Sequence, residues 1–414
     1  MLPIASLWQP FGLRGSPFFQ DELRPSQDAD RPISLFVGRS TPLAFLLRRF
    51  VSDSASRTII EGAAGVGKTS FVNRVKASSA EIGVASHEHP IRITSDTTWH
   101  SFVREALRAL LRIRLGLGYD NDADPFWKRT VLLLEGGESL GGGVSAMGFG
   151  ATVSRTRIAP ALPVHSLYEH FGEALRRLKA DSGAGVLLHV NNLENQALDN
   201  APALAVLMRD LRDFLLLDGA HWVFVGTSGI DESIFRVYDQ VGGIFPQSLR
   251  LPPLTADEVA DLLTQRYEHL KILEHDVVAP VEAKAAADLY AYYHGDLRNF
   301  LRLLGEAAER ILGLHGLQPM QPAQVIGAVA PDYRQQLQRL LGETDSDHLK
   351  AIIGRGEQEF RVTDVAAATR LKQPTATKLV ERLAHKGVIR HARTQGRNVF
   401  YRPTGSALIA FAAA

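Results

Sequence analysis

The chain has no cysteine among its 414 residues, which excludes disulfides, thiolate metal sites and cysteine nucleophiles. Long apolar runs are missing too, so no stretch approaches the length that spans a bilayer. Residues 1–15 lack the basic-then-apolar pattern of a secretory signal. A cytoplasmic chain without membrane contact is the expectation. Net charge is nearly absent at +1, but it is unevenly spread. Between Lys350 and Arg402 twelve Lys and Arg stand against four Asp and Glu, giving this block +8 and leaving −7 for the rest. A basic block on a mildly acidic body points to a polyanion-binding module attached to an engine. The length predicts two or three domains, each large enough for its own core.

What is present is a phosphate-loop signature. Gly62-Ala63-Ala64-Gly65-Val66-Gly67-Lys68-Thr69-Ser70 matches G-x-x-x-x-G-K-[ST] in full, between a β-rich run (Thr58-Ile59-Ile60-Glu61) and a helical pattern from Phe71 to Val75. That order of strand, glycine turn and helix start is what a phosphate cradle requires. The glycines let backbone N–H groups turn inward, the helix start adds partial positive charge, Lys68 would reach the β- and γ-phosphates, and Thr69 would hold Mg²⁺. The expectation is binding of ATP (or ADP) with Mg²⁺.

Around this loop the chain divides as follows. Residues 1–31, rich in Pro, Gln and Asp with scattered aromatics, read as an N-terminal arm. Residues 32–253 alternate helices and apolar strands, which predicts a parallel α/β sheet covered on both faces. Its strands are expected at 91–94, 185–190, 222–228 and 249–251, and its helices at 42–51, 99–113, 166–180 and 202–217, the last opened by Pro202. Residues 114–163 are Gly-rich and read as an insertion carrying a β-hairpin over 144–154. Residues 254–338 read as helical, with helices at 256–267, 278–292 and 296–312, and residues 339–414 form the basic module.

These pieces in this order resemble the AAA+ ATPases, in particular the initiator-like clade that includes origin-recognition proteins. The resemblance covers about residues 32–312 and then the C-terminal module. It implies a P-loop NTPase parallel sheet, a helical lid and a winged-helix domain. Phe36-Val37-Gly38-Arg39 is similar to the clade's F-x-G-R motif near the adenine, and Gly62 to Thr69 to its Walker A loop. Thr227 or Ser228, ending a strand, takes the place of the polar sensor 1 residue. Gly295-Asp296-Leu297-Arg298 resembles the G-x-x-R sensor 2 motif, whose arginine, here Arg298, closes on the γ-phosphate.

Walker B departs from the family pattern. The family ends its third strand with two acids, one helping to hold Mg²⁺ and one polarising the attacking water; here Asn191 and Asn192 stand in those places. An asparagine carbonyl accepts a hydrogen bond from a metal-bound water but takes no proton. Proton-accepting catalysis contributes about 10²–10⁴-fold, so slow hydrolysis is expected unless a carboxylate substitutes, and Glu194 is the nearby candidate. The family also completes its site with an arginine from a neighbouring subunit, which makes a homo-oligomer an expectation. Arg236 is the first candidate for that arginine and Arg250 the second.

The basic module reads as a helix at 347–353, a second at 363–369, a turn, and a third opened by Pro374. In the third, Leu379, Val380 and Leu383 would face a core, while Lys378, Arg382 and Lys386 recur every four residues on one face. Val388 to Arg402 reads as a two-stranded wing turning at Gln395-Gly396 and lined by Arg390, Arg393 and Arg397. The whole resembles a winged helix-turn-helix, a module that enters duplex DNA by helix and wing. Gln373, Thr375 and Thr377 are the candidates for base contact. The main expectation is nucleotide-controlled DNA binding. Two others stay open: a STAND-like signalling or defence switch using the winged helix for protein contacts with an unknown partner, and an ATP-liganded transcription regulator without turnover.

Overall fold

The computed structural model describes residues 6–25, 31–135, 164–191, 193–232, 239–311 and 317–412. The expected β-hairpin at 144–154 lies outside them. The described chain separates into two compact units. One holds Leu23–Gly62 and Lys68–Leu251; the other holds Met1–Glu22, Ala63–Gly67 and Pro252–Ala414.

The first unit runs α1 (Ser40–Ser52), β1 (Ser56–Gly62), α2 (Lys68–Ala80), β2 (Val84–Ser86), β3 (Ile91–Arg92), α3 (Trp99–Gly116), α4 (Pro125–Glu135), α5 (Val164–Ser182), β4 (Gly185–Asn191), α6 (Leu193–Asp210), α7 (Arg212–Leu215), β5 (Ala220–Thr227), α8 (Asp239–Gly242) and β6 (Gln247–Arg250). Its strands form one parallel sheet in the order β2-β4-β5-β1-β6, with β3 also paired to β4. Strands covered on both faces must be apolar throughout, and β4 and β5 are buried along nearly their whole length. On one face Trp222 and Phe224 join Phe102, Phe171 and Phe214 in an aromatic core; the Phe171 and Phe214 rings lie 4.3 Å apart. The opposite side of the same strands carries polar groups. Ser56 Oγ and His221 Nδ1 are 2.9 Å apart. His189 is buried with neither ring nitrogen hydrogen-bonded.

Helix starts follow local chemistry. Thr98 caps α3 by accepting from Ser101 N at 3.2 Å. Pro202, read as a helix start, sits inside α6, which begins nine residues earlier at Leu193. The first part of the expected insertion is helical: α4 buries Trp127, over whose ring the Arg114 guanidinium lies at 5.3 Å.

The second unit contains α9 (Ala256–Leu270), α10 (Ala283–Ala291), α11 (Leu297–Ile311), α12 (Pro322–Leu341), α13 (Glu343–Ile353), α14 (Val362–Thr369), α15 (Gln373–His385), the antiparallel ribbon β7 (Ile389–Gln395) and β8 (Asn398–Pro403), and α16 (Gly405–Phe411). Thr255 caps α9 reciprocally with Glu258. The helix expected from Val278 begins only at Ala283, because Pro280 and the extended Glu282 precede it.

The N-terminal residues are packed rather than extended as an arm. Trp8, Phe11, Leu13 and Phe18 are buried. Main-chain bonds join Arg14 N to Leu270 O, Ile272 N to Gly12 O and Val278 N to Phe11 O. Buried Arg266 donates through Nη1 to the carbonyls of Pro17 and Phe19, 2.9 Å each, with its guanidinium 3.8 Å from the Phe19 ring centroid. Trp8, Phe11 and Phe18 are therefore core residues of this unit, and Phe19 is half-buried under Arg266. No described helix is long and apolar enough to cross a membrane.

Candidate nucleotide site and basic module

β1 ends at Gly62 and α2 begins at Lys68, so the loop fills the five residues between. Gly65 and Gly67 take φ of 78° and 91°, the left-handed region that glycine enters without steric cost. Lys68 Nζ donates to Gly62 O at 2.9 Å, lying back across the loop mouth. Val66 N bonds Ala63 O at 3.3 Å, which sets the turn that carries Ala64. Thr69 and Ser70 open α2, half-buried, and Ser70 Oγ accepts from Leu23 N at 3.2 Å.

The sheet brings the other candidates to the same edge. Gly62 is the register partner of Thr227, the last residue of β5. Asn191 is the last residue of β4, the strand beside β5. Ligands in open parallel sheets bind at these carboxyl ends. Glu194 lies in the first turn of α6. Asn192 and Arg236 lie outside the described residues.

Phe36, Val37, Gly38 and Arg39 lead into α1. Gly38 and Arg39 both have positive φ, 73° and 59°. Arg39 is buried, its guanidinium is 6.0 Å from the Phe36 ring centroid, and Phe36 packs 6.1 Å from Phe71 of α2. A non-glycine residue in the left-handed region is uncommon and marks a conformation fixed by its surroundings.

Glu61, just before the loop, was not singled out as a site residue from the sequence. Its buried carboxylate accepts from Gly229 N at 2.6 Å and Ser248 Oγ at 2.9 Å. It ties the end of β1 to the turn after Thr227 and to β6. Arg250 stands 4.0 Å from the same carboxylate. The signal was an acid at the end of an apolar strand, where an ionised side chain needs partners.

In the other unit, the loop residues Ala63–Gly67 cluster with the helices that follow Pro252. Gly65 O accepts from Arg298 N at 3.3 Å. A Cβ on Gly65 would fall 2.0 Å from Asp296 Oδ1, so only glycine fits there. Asp296 caps α11 through Asn299 N at 3.1 Å and accepts from Asn299 Nδ2 at 2.6 Å. The Arg298 side chain is exposed at the helix start.

α13, α14 and α15 followed by the β7–β8 ribbon form a winged-helix arrangement. Arg370, at φ 57°, makes the turn between α14 and α15. Ala376, Leu379, Val380 and Leu383 are buried under α15. Gln373, Thr375, Lys378 and Lys386 are exposed, Thr377 is half-buried with its hydroxyl bonded to Gln373 O, and Arg397 is exposed beside the wing turn. The remaining basic candidates are ion-paired. Arg382 reaches both oxygens of Asp345 at 3.0 and 2.9 Å. Arg393 pairs with Glu359 at 2.7 Å and stacks 4.1 Å over Phe400. Arg390 pairs with Asp296 at 3.2 Å. Sequence counting alone missed this internal neutralisation.

No protein-family model and no curated protein sequence matches the chain. Solved structures do. The ORC2 protein of Aeropyrum pernix, solved as ADPNP–ADP complexes, aligns over 97% of both chains at 15% identity with a TM-score of 0.50. The Walker-type ATPase PABY2304 of Pyrococcus abyssi aligns over 95% of this chain and 99% of its own, at 12% identity and TM-score 0.49. The Aeropyrum pernix ORC1 protein in complex with DNA gives 17% identity and 0.44 over 91% and 92%. With the first of these the chain shares its fold: a parallel α/β sheet carrying the phosphate-loop sequence, a helical region after it and a C-terminal winged-helix arrangement.

Proposed function

We propose that this protein is an ATP-binding switch that acts on duplex DNA and turns ATP over slowly. The observation that carries the reading is the loop itself, with Gly65 and Gly67 in left-handed conformation between a buried strand and a helix that starts on Lys68. Such a turn directs successive N–H groups to one side, where they bind phosphate oxygens. The fold-sharing ORC2 protein was solved with ADPNP and ADP, in keeping with that use.

Mg²⁺ fits this site as a ligand of the nucleotide rather than of a protein cage. Thr69 supplies a hydroxyl and Asn191 a neutral strand-end carbonyl, and among the described residues no cluster of three or more acidic or His side chains could hold the ion alone. Mg²⁺ commonly takes most of its ligands from phosphates and water, and it supplies charge neutralisation of the transferred phosphoryl group. With nucleotide bound, Lys68 would stabilise the β- and γ-phosphates, and Thr227 would orient the attacking water. Asn191 and Asn192 accept no proton, so the acceleration of about 10²–10⁴-fold from general-base catalysis is forfeited unless Glu194 provides it. Nucleotide then acts by binding two arrangements of the protein unequally.

DNA binding rests on Lys378, Lys386 and Arg397 with Gln373 and Thr375, all exposed. The pairing of Arg382 and Arg393 favours a second reading, a winged helix that contacts protein instead. Mobility shift on duplex DNA at several salt concentrations, with and without ATP, decides between them. The DNA reading expects binding that weakens steeply with salt and depends on ATP. Absence of any shift at low salt refutes it and leaves the protein-contact reading.

A further inference from the structure

Three parts of the second unit meet at one carboxylate. Asp296 Oδ1 lies against Gly65 of the phosphate loop, Oδ2 receives Arg390 Nη1 from the wing at 3.2 Å, and the same side chain caps the helix that carries Arg298. The Asp296 side chain is only 9% exposed, while Arg390 is 44% exposed. A carboxylate held beside an anion-binding loop opposes the ligand that the loop is built to take. Arg390 removes that opposition by neutralising the acid.

We propose that Arg390 is a charge-compensating, positioning residue for the phosphate loop, so that triphosphate affinity depends on whether the wing is docked on Asp296. With Arg390 in place, Asp296 caps α11 without presenting net charge to the loop. With Arg390 withdrawn, the buried carboxylate stands uncompensated beside the loop. Coupling is reciprocal: bound triphosphate holds the wing on Asp296, and any anion that captures Arg390, as a DNA phosphate would, lowers triphosphate affinity. The wing residue expected from its charge to touch DNA thus also reports to the nucleotide site. This rests on the proposal that the loop binds ATP.

The test is a calorimetric titration of the full chain with MgATP in the absence of DNA. Arg390→Gln is expected to weaken affinity on the order of tenfold, the range of ordinary intersite coupling. Asp296→Asn together with Arg390→Gln is expected to restore wild-type affinity, because asparagine keeps the helix cap while removing the charge. Lys284→Gln, an equal charge change at an exposed position on α10, leaves affinity unchanged. Unaltered affinity in Arg390→Gln overturns the proposal, and so does a loss that the double variant fails to restore. A wild-type chain that binds no MgATP overturns the nucleotide reading as well, which separates the two failures. Because no DNA is present, the result does not depend on the DNA-binding reading.

Discussion

Replacing Gly65 by Ala probes the contact between the phosphate loop and the start of α11 directly. Two costs add. The residue sits at φ 78°, where a Cβ costs roughly 1–2 kcal/mol. The new methyl would also fall 2.0 Å from Asp296 Oδ1 and 2.8 Å from its Cγ, so the carboxylate must leave and the Asn299 N–H loses its cap, worth about 1 kcal/mol. The sum is about 2–3 kcal/mol, or on the order of 4–12 °C in melting temperature for a unit of this size. Gly356→Ala isolates the backbone share, because Gly356 lies in the same unit at φ 74° with nothing within 4 Å of an added Cβ. Differential scanning calorimetry of both variants is the assay. Gly65→Ala should melt well below Gly356→Ala and should also lose ATP affinity. Equal melting of the two would refute the close approach of Asp296 to the loop.

Acid should destabilise the sheet through its buried histidines. Burial holds His189 well below its ordinary value and pushes His221 down to about 4. Both groups stay neutral in the folded chain while the unfolded chain takes up protons near pH 6.5. Stability should therefore be flat above that pH and fall below it, by about 1.4 kcal/mol per pH unit for each such histidine; His189→Leu should flatten the fall measured by urea unfolding, and an unchanged pH profile would contradict the assignment. Glu61→Gln should cost about 1–3 kcal/mol, because one of the two donors now on the carboxylate, Gly229 N or Ser248 Oγ, meets an amide donor instead. Denaturant midpoints check this, and wild-type stability in that variant would remove Glu61 as the tie between β1 and the turn after Thr227.

Local chemistry made much of the α/β unit readable. The loop string, the apolar strands at Gly185 and Trp222, and the helical pattern from Ala256 to Tyr267 each encode their element within a few residues. The winged helix was readable for the same reason, with Pro374 opening α15 and Gly396 turning the wing. Non-local pairings were not readable. Nothing near Trp8 or Phe18 announces that both are buried, since the contacts of this segment come from about 250 positions away, as where Arg266 bonds the Pro17 and Phe19 carbonyls. Pro202 looked like a helix start because proline is common there, yet the exposed side chain is tolerated inside α6. Asn191, Thr227 and Lys68 could be placed at strand ends and a helix start by position along the chain. Glu61 and the Arg390–Asp296 pair depend on register and on a contact across 94 positions, which no spacing rule reaches.

Firm nucleotide binding with slow turnover is tested by steady-state ATP hydrolysis with the protein saturated with MgATP. Enzymes commonly turn over at about 10 per second, and loss of general-base catalysis removes about 10²–10⁴-fold, so about 0.1 per second or slower is expected. Saturable binding with such a rate would support it. Turnover of several ATP per second would contradict it.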